Sequence, residues 1–167
     1  MDILYKKDTF YIKKADKSHI NDIYNLICGI AEYEQMLQDV INTPELIEEW
    51  LFEKGAAETY IGFEDDKVVG FIILLHNYSS FIGRAGLYIE DIFIIPEKRG
   101  KGYGKAMLYF AADLAVKRKC GRMEWVCLNW NNPAIKFYES IGAIPLKEWT
   151  TYRLDENAIK KLADNLK

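Results

Sequence analysis

The sequence predicts an α/β protein (α+β in some schemes), with a central mixed sheet carrying helices on both faces. Two observations point there. Strand-patterned and helix-patterned segments alternate in the order β-α-α-β-β-β-α-β-α-β-α. Near the middle, the apolar run Tyr88-Ile89-Glu90-Asp91-Ile92-Phe93-Ile94-Ile95-Pro96 leads into Arg99-Gly100-Lys101-Gly102-Tyr103-Gly104, and a helix-patterned segment follows from Lys105 to Lys119. That succession is strand, glycine-rich turn, helix. With 167 residues, half of them hydrophobic, the chain is expected to form one domain over 1–167.

The elements follow in order. Thr9 to Lys14 alternates as a first strand. Asp16 or Ser18 caps a helix whose buried face is Ile20, Ile23, Tyr24, Ile27 and Ile30, running to about Met36. Thr43-Pro44-Glu45 opens a second helix, with Leu46, Ile47, Trp50 and Leu51 as its buried face and Gly55 as its end. Thr59–Glu64 and Val68–Asn77 are strands joined by a turn at Asp65-Asp66-Lys67. After the loop Ser79–Gly83, Gly86–Ile95 is a strand whose Ile92–Ile95 stretch suits burial on both faces. Gly121 is expected to stop the next helix. Met123–Leu128 is a strand, Asn131-Asn132-Pro133-Ala134 starts a helix, Trp149–Leu154 is a last strand and Asn157–Leu166 a terminal helix.

Composition excludes several classes. A net charge of −3 argues against a dedicated nucleic-acid binder. No stretch of about 18 apolar residues is present, so no membrane span is expected. The N-terminus lacks the apolar region of a signal peptide. Cys28, Cys120 and Cys127 read as buried thiols of a reducing compartment, which makes the cytoplasm the expected location. His19 and His76 have no metal-binding company, so no metal is expected.

Glycines at 100, 102 and 104 leave backbone amides bare, and a helix starting behind them turns its positive end toward an anion. Lys98, Arg99, Lys101 and Lys105 add four positive charges against one negative from Glu97. The simplest reading is a pyrophosphate cradle, against that of a plain strand-to-helix turn. The triphosphate pattern Gly-x-x-x-x-Gly-Lys-Ser/Thr is absent, and the dinucleotide spacing Gly-x-Gly-x-x-Gly is missed at its third position.

What matches is Arg-x-x-Gly-x-Gly, as Arg99, Gly102 and Gly104. It resembles the coenzyme A loop of the GNAT N-acetyltransferases. A second constellation, Asn131 through Pro133, Ala134, Phe137 and Tyr138 to Gly142-Ala143, is similar to that family's other motif. The resemblance implies the GNAT fold, with a mostly antiparallel mixed sheet, and acetyl-CoA as co-substrate. It implies that backbone groups of Ile92, Phe93 and Ile94 pair with the pantetheine arm. Gly100, Lys101, Gly102, Tyr103, Gly104 and Lys105, with Arg99, would hold the pyrophosphate. Asn131, Pro133 and Ala134 would meet the coenzyme near its reactive end.

Expelling a thiolate calls for an acid. A tyrosine near pKa ~10 stays protonated at neutral pH and can donate to a thiolate whose conjugate pKa is ~8.5. The resemblance puts Tyr138 in that role. The nucleophile is an amine; at pKa ~10.4, neutralising it at pH 7 costs about 4–5 kcal/mol, so a nearby carboxylate is needed to take the proton. Glu90 and Asp91 stand mid-strand, where charge is costly unless used or paired. Alternation puts them on opposite faces, and the resemblance selects Glu90 as facing substrate.

From Glu32 to Glu53 there are seven acids and no Lys or Arg. They are either a solvated face or a negative rim that attracts a cationic amine. Ala31-Glu32-Tyr33-Glu34, Leu87–Asp91, Arg99–Gly104 and Trp130–Tyr138 are similar to the spermidine/spermine (diamine) and thialysine acetyltransferase group. That likeness implies a small cationic amine substrate, a direct attack with no acyl-enzyme, and a homodimer. It places Tyr33, Glu34, Ser80, Glu90, Glu124, Trp125 and Val126 in the amine site. Ser80 stands where the polyamine enzymes carry Asp and the thialysine branch carries Ser; without that charge for a distal ammonium, the residue argues against long polyamines and leaves lysine-like amino acids or short diamines open. Acetylation of a protein N-terminus or lysine, and a non-catalytic CoA-binding regulator, are the alternatives.

Overall fold

The computed structural model describes residues 2–166. They form two compact units, divided between Val126 and Cys127.

The first unit holds β1 (Ile3–Lys7), β2 (Phe10–Lys14), α1 (Ile20–Tyr33), α2 (Pro44–Ile47), β3 (Glu58–Glu64), β4 (Lys67–Ser79), β5 (Arg84–Ile94), α3 (Tyr103–Lys117) and β6 (Arg122–Trp125). The strands form one sheet in sequence order, β1 to β6. Every pair is antiparallel except β5 and β6, which run parallel across the α3 crossover. One face carries Tyr11, Ile61, Phe63, Phe71, Ile73 and Phe93 against Ile23, Leu26 and Ile47 of α1 and α2. The neighbouring strand positions belong to α3: Tyr60 meets Phe110 at 5.0 Å between ring centroids, and Phe10 stacks on Tyr103 at 4.3 Å. Gly62 lets α3 lie close, since a Cβ there would stand 2.9 Å from Met107 Cε. Phe71 and Ile72, successive and fully buried, show that β4 is covered on both sides. Burying each such side chain contributes about 1.5–3 kcal/mol.

Local chemistry fixes the boundaries. Thr43 caps α2 by accepting from Leu46 N at 3.3 Å. Asp65 and Asp66 both have positive φ, 49° and 61°, the twist a two-residue hairpin needs.

Several expectations are corrected. Ile3–Lys7 is a strand that the sequence pattern did not reveal; it forms a hairpin with β2 through Asp8 at φ 52°. Helix α1 ends at Tyr33, short of Met36, because Gln35 takes φ 60°. The second helix winds into a π-turn over Glu48–Glu53, which rotates its apolar stripe. Ile47 is buried, but Trp50 is half exposed and lies under the Lys54 ammonium at 3.8 Å. Lys119, at φ 55°, stops α3 in place of Gly121. Gly121 serves a close approach, since a Cβ there would meet Ile82 at 2.6 Å. The three cysteines are free and only partly buried.

The second unit contains α4 (Asn132–Ser140) and α5 (Glu156–Asp164). Asn131 caps α4, its Oδ1 accepting from Ala134 N at 3.4 Å. The strand expected at Trp149–Leu154 is absent; those residues are irregular and exposed. Among the described residues, no helix is long and apolar enough to cross a membrane.

Candidate functional site

The glycine loop has the predicted conformation. Gly100 and Gly102 adopt φ 78° and 83°, with open space where a Cβ would stand. Gly104 approaches only Ile94, at 3.7 Å. Gly102 is the N-cap of α3, and the first intrahelical bond runs from Ala106 N to Gly102 O at 2.9 Å. The amides of Tyr103, Gly104 and Lys105 therefore have no acceptor within the helix and stand at its positive end. These residues fit a pyrophosphate.

The loop's cations are not arranged as the charge count implied. Glu64, at the end of β3 and almost fully buried, accepts from Lys98 and Tyr103, and from Lys101 at 2.7 Å. Those three donors, Lys101 foremost, hold its carboxyl down at about 2. Glu64 also raises the Tyr103 phenol. Arg99 donates from Nε to Ile94 O at 3.0 Å, and its guanidinium lies 4.3 Å over the Tyr33 ring and 5.3 Å from that of Phe93. Lys105 Nζ stands 5.4 Å from the Tyr109 ring. Beside the loop is a cleft of about 480 Å³, walled in part by Tyr5, Lys7, Lys101, Tyr103 and Lys105. Sequence reasoning missed Glu64. It closes an apolar strand more than thirty residues upstream, and only the topology brings it to the loop.

Next to the loop, β5 is irregular. Ile73 pairs with Asp91 and Leu74 with Ile89, so Glu90 is an extra residue in a bulge. This overturns strict alternation for the two carboxylates. Asp91 shares the face of Ile73 and Phe93, which α1 covers, while Glu90 is exposed and holds no ladder position. Burial first, then the charges of Glu90 and Glu34, push the Asp91 carboxyl up to about 6. Burial alone raises Glu34. The three carboxylates thus form one acidic cluster, with Glu34 just beyond the end of α1. Asp91, which the sequence left unassigned, is its most perturbed member.

Parallel pairing with β6 reaches only Ile89 opposite Trp125. Among the described residues, no strand pairs with Ile92, Phe93 and Ile94 on that edge, so β5 keeps an open flank there. The Ile94 carbonyl is already met by Arg99.

The remaining predicted amine-site residues divide. Ser80 is exposed in the β4–β5 turn. Glu124 is engaged by Asn77 Nδ2 at 3.0 Å and Arg122 Nε at 2.9 Å. Trp125 is partly buried and Val126 is exposed. Three of the seven acids of the rim are engaged by lysines: Glu48 and Glu53 meet Lys17 at 2.7 and 3.4 Å, and Glu49 meets Lys54 at 2.5 Å. In the second unit, Tyr138 is partly buried on α4, its ring 5.6 Å from that of Phe137 and its carbonyl accepting from Ala143 N at 3.0 Å.

A bare glycine cradle thus opens a long helix beside a strand pair that ends short, leaving an open flank. Residues 20–143 match the acetyltransferase (GNAT) family, and the chain belongs to it. It is an N-acetyltransferase, of a family that uses acetyl-CoA as co-substrate. It is 31% identical over 158 residues to a thialysine N-epsilon-acetyltransferase of Caenorhabditis elegans, covering 93% of this chain and 98% of that one. It is 45% identical over 98 residues to an L-ornithine N5-acetyltransferase of Arabidopsis thaliana; that match covers 59% of this chain and 43% of the relative, under half its length. Among solved structures, an integron cassette protein from the mobile metagenome of V. cholerae superposes with a TM-score of 0.79 at 28% identity, over 94% of this chain and 99% of that one.

Proposed function

We propose that this protein acetylates a primary amine of a small molecule carrying two amino groups, of the ornithine or thialysine kind. The observation that carries the reading is the acidic cluster of Glu34, Glu90 and Asp91 next to the cradle: three carboxylates, one with its pKa raised to about 6 by burial first and then by the other two, are suited to receive a dication and take a proton from it. The names of the relatives support the same substrate class. One catalytic domain over 1–167 is part of the proposal, supported by a family match that runs through both compact units.

Acetyl-CoA supplies an acetyl thioester. The amides of Tyr103, Gly104 and Lys105 would hold its pyrophosphate, and the open flank at Ile92, Phe93 and Ile94 its pantetheine arm. Asn131, Pro133 and Ala134 would lie near its reactive end. Glu90, exposed at the bulge, would accept the proton of the attacking ammonium directly or through water, with Asp91 and Glu34 holding the substrate's positive charge. The neutral amine would attack the carbonyl carbon and the carbon–sulfur bond would break; Tyr138 would give its proton to the leaving thiolate, and the second proton, shed by the nitrogen as the amide forms, would pass to water, from which Tyr138 recovers its own. Tyr33, Ser80, Glu124, Trp125 and Val126 would complete the amine site, with Glu124 acting through its Asn77 and Arg122 partners. Polyamines as further substrates and a homodimer belong to the same proposal and rest on the resemblance; a cytoplasmic location belongs to it too and rests on the three free thiols.

The test is thiol release from acetyl-CoA with ornithine, thialysine, lysine, putrescine, spermidine and a basic peptide as acceptors. Turnover is expected with the diamino acids first. Absence of turnover with every small amine would overturn the proposal.

A further inference from the structure

We infer that Tyr33 is a positioning residue for the coenzyme loop, acting through Arg99, so that the donor and acceptor sites are coupled through one stacked pair. This rests on the proposed reading of Arg99–Lys105 as the coenzyme cradle and of Tyr33 as part of the amine site. Three contacts carry it. The Arg99 guanidinium lies over two rings, its carbon 4.3 Å from the centroid of Tyr33 and 5.3 Å from that of Phe93. Its Nε donates to Ile94 O at 3.0 Å, which ties it to the end of β5. Helix α1 is itself seated on Phe93, since a Cβ at Gly29 would come within 3.0 Å of that ring. The last residue of α1, the last residue of β5 and the first arginine of the loop are therefore fastened at one point.

The chemistry suits this use. A guanidinium is planar and has five N–H donors; Ile94 takes the one on Nε, and the four on Nη1 and Nη2 are of the kind that meet a pyrophosphate. Stacking on Tyr33 fixes the plane in which those donors are presented. Tyr33 is followed by Glu34 of the acidic cluster. An anion that draws on Arg99 thereby stiffens the segment that receives the amine, and the coupling is reciprocal. Lysine in place of Arg99 keeps the charge but loses the plane and the Nε bond.

The experiment is calorimetric titration of coenzyme A into the wild-type protein and into Tyr33→Leu, Tyr33→Phe, Arg99→Lys and the double variant Arg99→Lys/Tyr33→Leu, with folding checked by thermal melting. Tyr33→Leu should weaken coenzyme A binding by about three- to tenfold, the range of a partly desolvated cation–π pair. Tyr33→Phe, which keeps the ring face, should bind as the wild type does. The double variant should bind no more weakly than Arg99→Lys alone. Should Tyr33→Leu not fold, Arg99→Lys carries the test in kinetics: the amine KM at saturating acetyl-CoA should rise, and an unchanged amine KM would overturn the inference. Unchanged coenzyme A affinity in a folded Tyr33→Leu, additive losses in the double variant, or equal losses in Tyr33→Phe and Tyr33→Leu would each overturn it. Failure of the wild type to bind coenzyme A would strike the reading of the cradle itself.

Discussion

Replacing Asp91 by Asn should stabilise the protein while slowing it, and the gain should depend on pH. Asp91 sits on the α1-covered face of β5 beside Glu90 and Glu34, and its carboxyl is raised from the usual 3.8 to about 6. At ~1.36 kcal/mol for each pH unit, keeping it ionised at neutral pH costs the fold about 3 kcal/mol. The folded protein holds this proton more tightly than the unfolded chain does. The contribution is therefore favourable below the unfolded value and is lost as pH rises through about 6. Asn removes the charge but keeps a polar group that is also buried, so a gain of about 1–3 kcal/mol is expected at pH 8. It should shrink by roughly half at pH 5, where the native carboxyl is already protonated. Urea unfolding of both proteins at the two pH values, with the slope m unchanged, measures this. A gain that is the same at both pH values, or a loss at both, would refute the claim that an ionised carboxylate is held there at a cost.

Tyr138→Phe should lower kcat by about a hundredfold or more, with coenzyme A affinity measured by calorimetry changed by no more than about twofold; an unchanged kcat would remove the hydroxyl from the acid role. Gly102→Ala places a Cβ at φ 83° in open space, so its cost is backbone strain alone, about 1–2 kcal/mol in thermal melts, with weaker coenzyme A binding. Ser80→Asp should raise kcat/KM for spermidine relative to thialysine, because it adds a charge to an exposed turn; an unmoved ratio would take that turn out of substrate choice.

The strand–cradle–helix unit was legible because its signals are local. Glycines at 100 and 102 were read as a bare turn, and the backbone there takes positive φ. The apolar run before them is a central strand, paired with β4 along its length. What escaped depends on partners. Ile3–Lys7 is mostly exposed, so it lacks the alternation of a half-buried strand and is held by its ladder with β2. Trp149–Leu154 is the converse. Its threonines and aromatics favour strands, but β propensity needs a neighbour, and none pairs with it among the described residues. Glu64 was invisible as a site residue because its partners Lys98 and Lys101 lie 34 or more positions away; Asp91 stood out with Glu90 as a costly mid-strand charge, but its role stayed open because its burial and the charge of Glu34, which add to that of Glu90, come from the tertiary fold. Of the acidic run, Glu34 alone reaches the cluster; the π-turn hands Glu48, Glu49 and Glu53 to nearby lysines.

The bulge at Glu90 has a consequence for how the chemistry and the scaffold can be separated. Glu90 is surplus to the ladder. If the residue were deleted, Ile89 would still meet Leu74 and Asp91 would still meet Ile73, now as consecutive rungs. Every contact downstream, including Phe93 under α1 and Ile94 under the arginine, keeps its side of the sheet. A substitution at Glu90 changes a side chain and leaves the kink; a deletion irons out the kink and leaves the rest. The strand can therefore lose its most exposed carboxylate and its bend in one step without turning over, which makes the two arrangements neighbours in sequence, one residue apart.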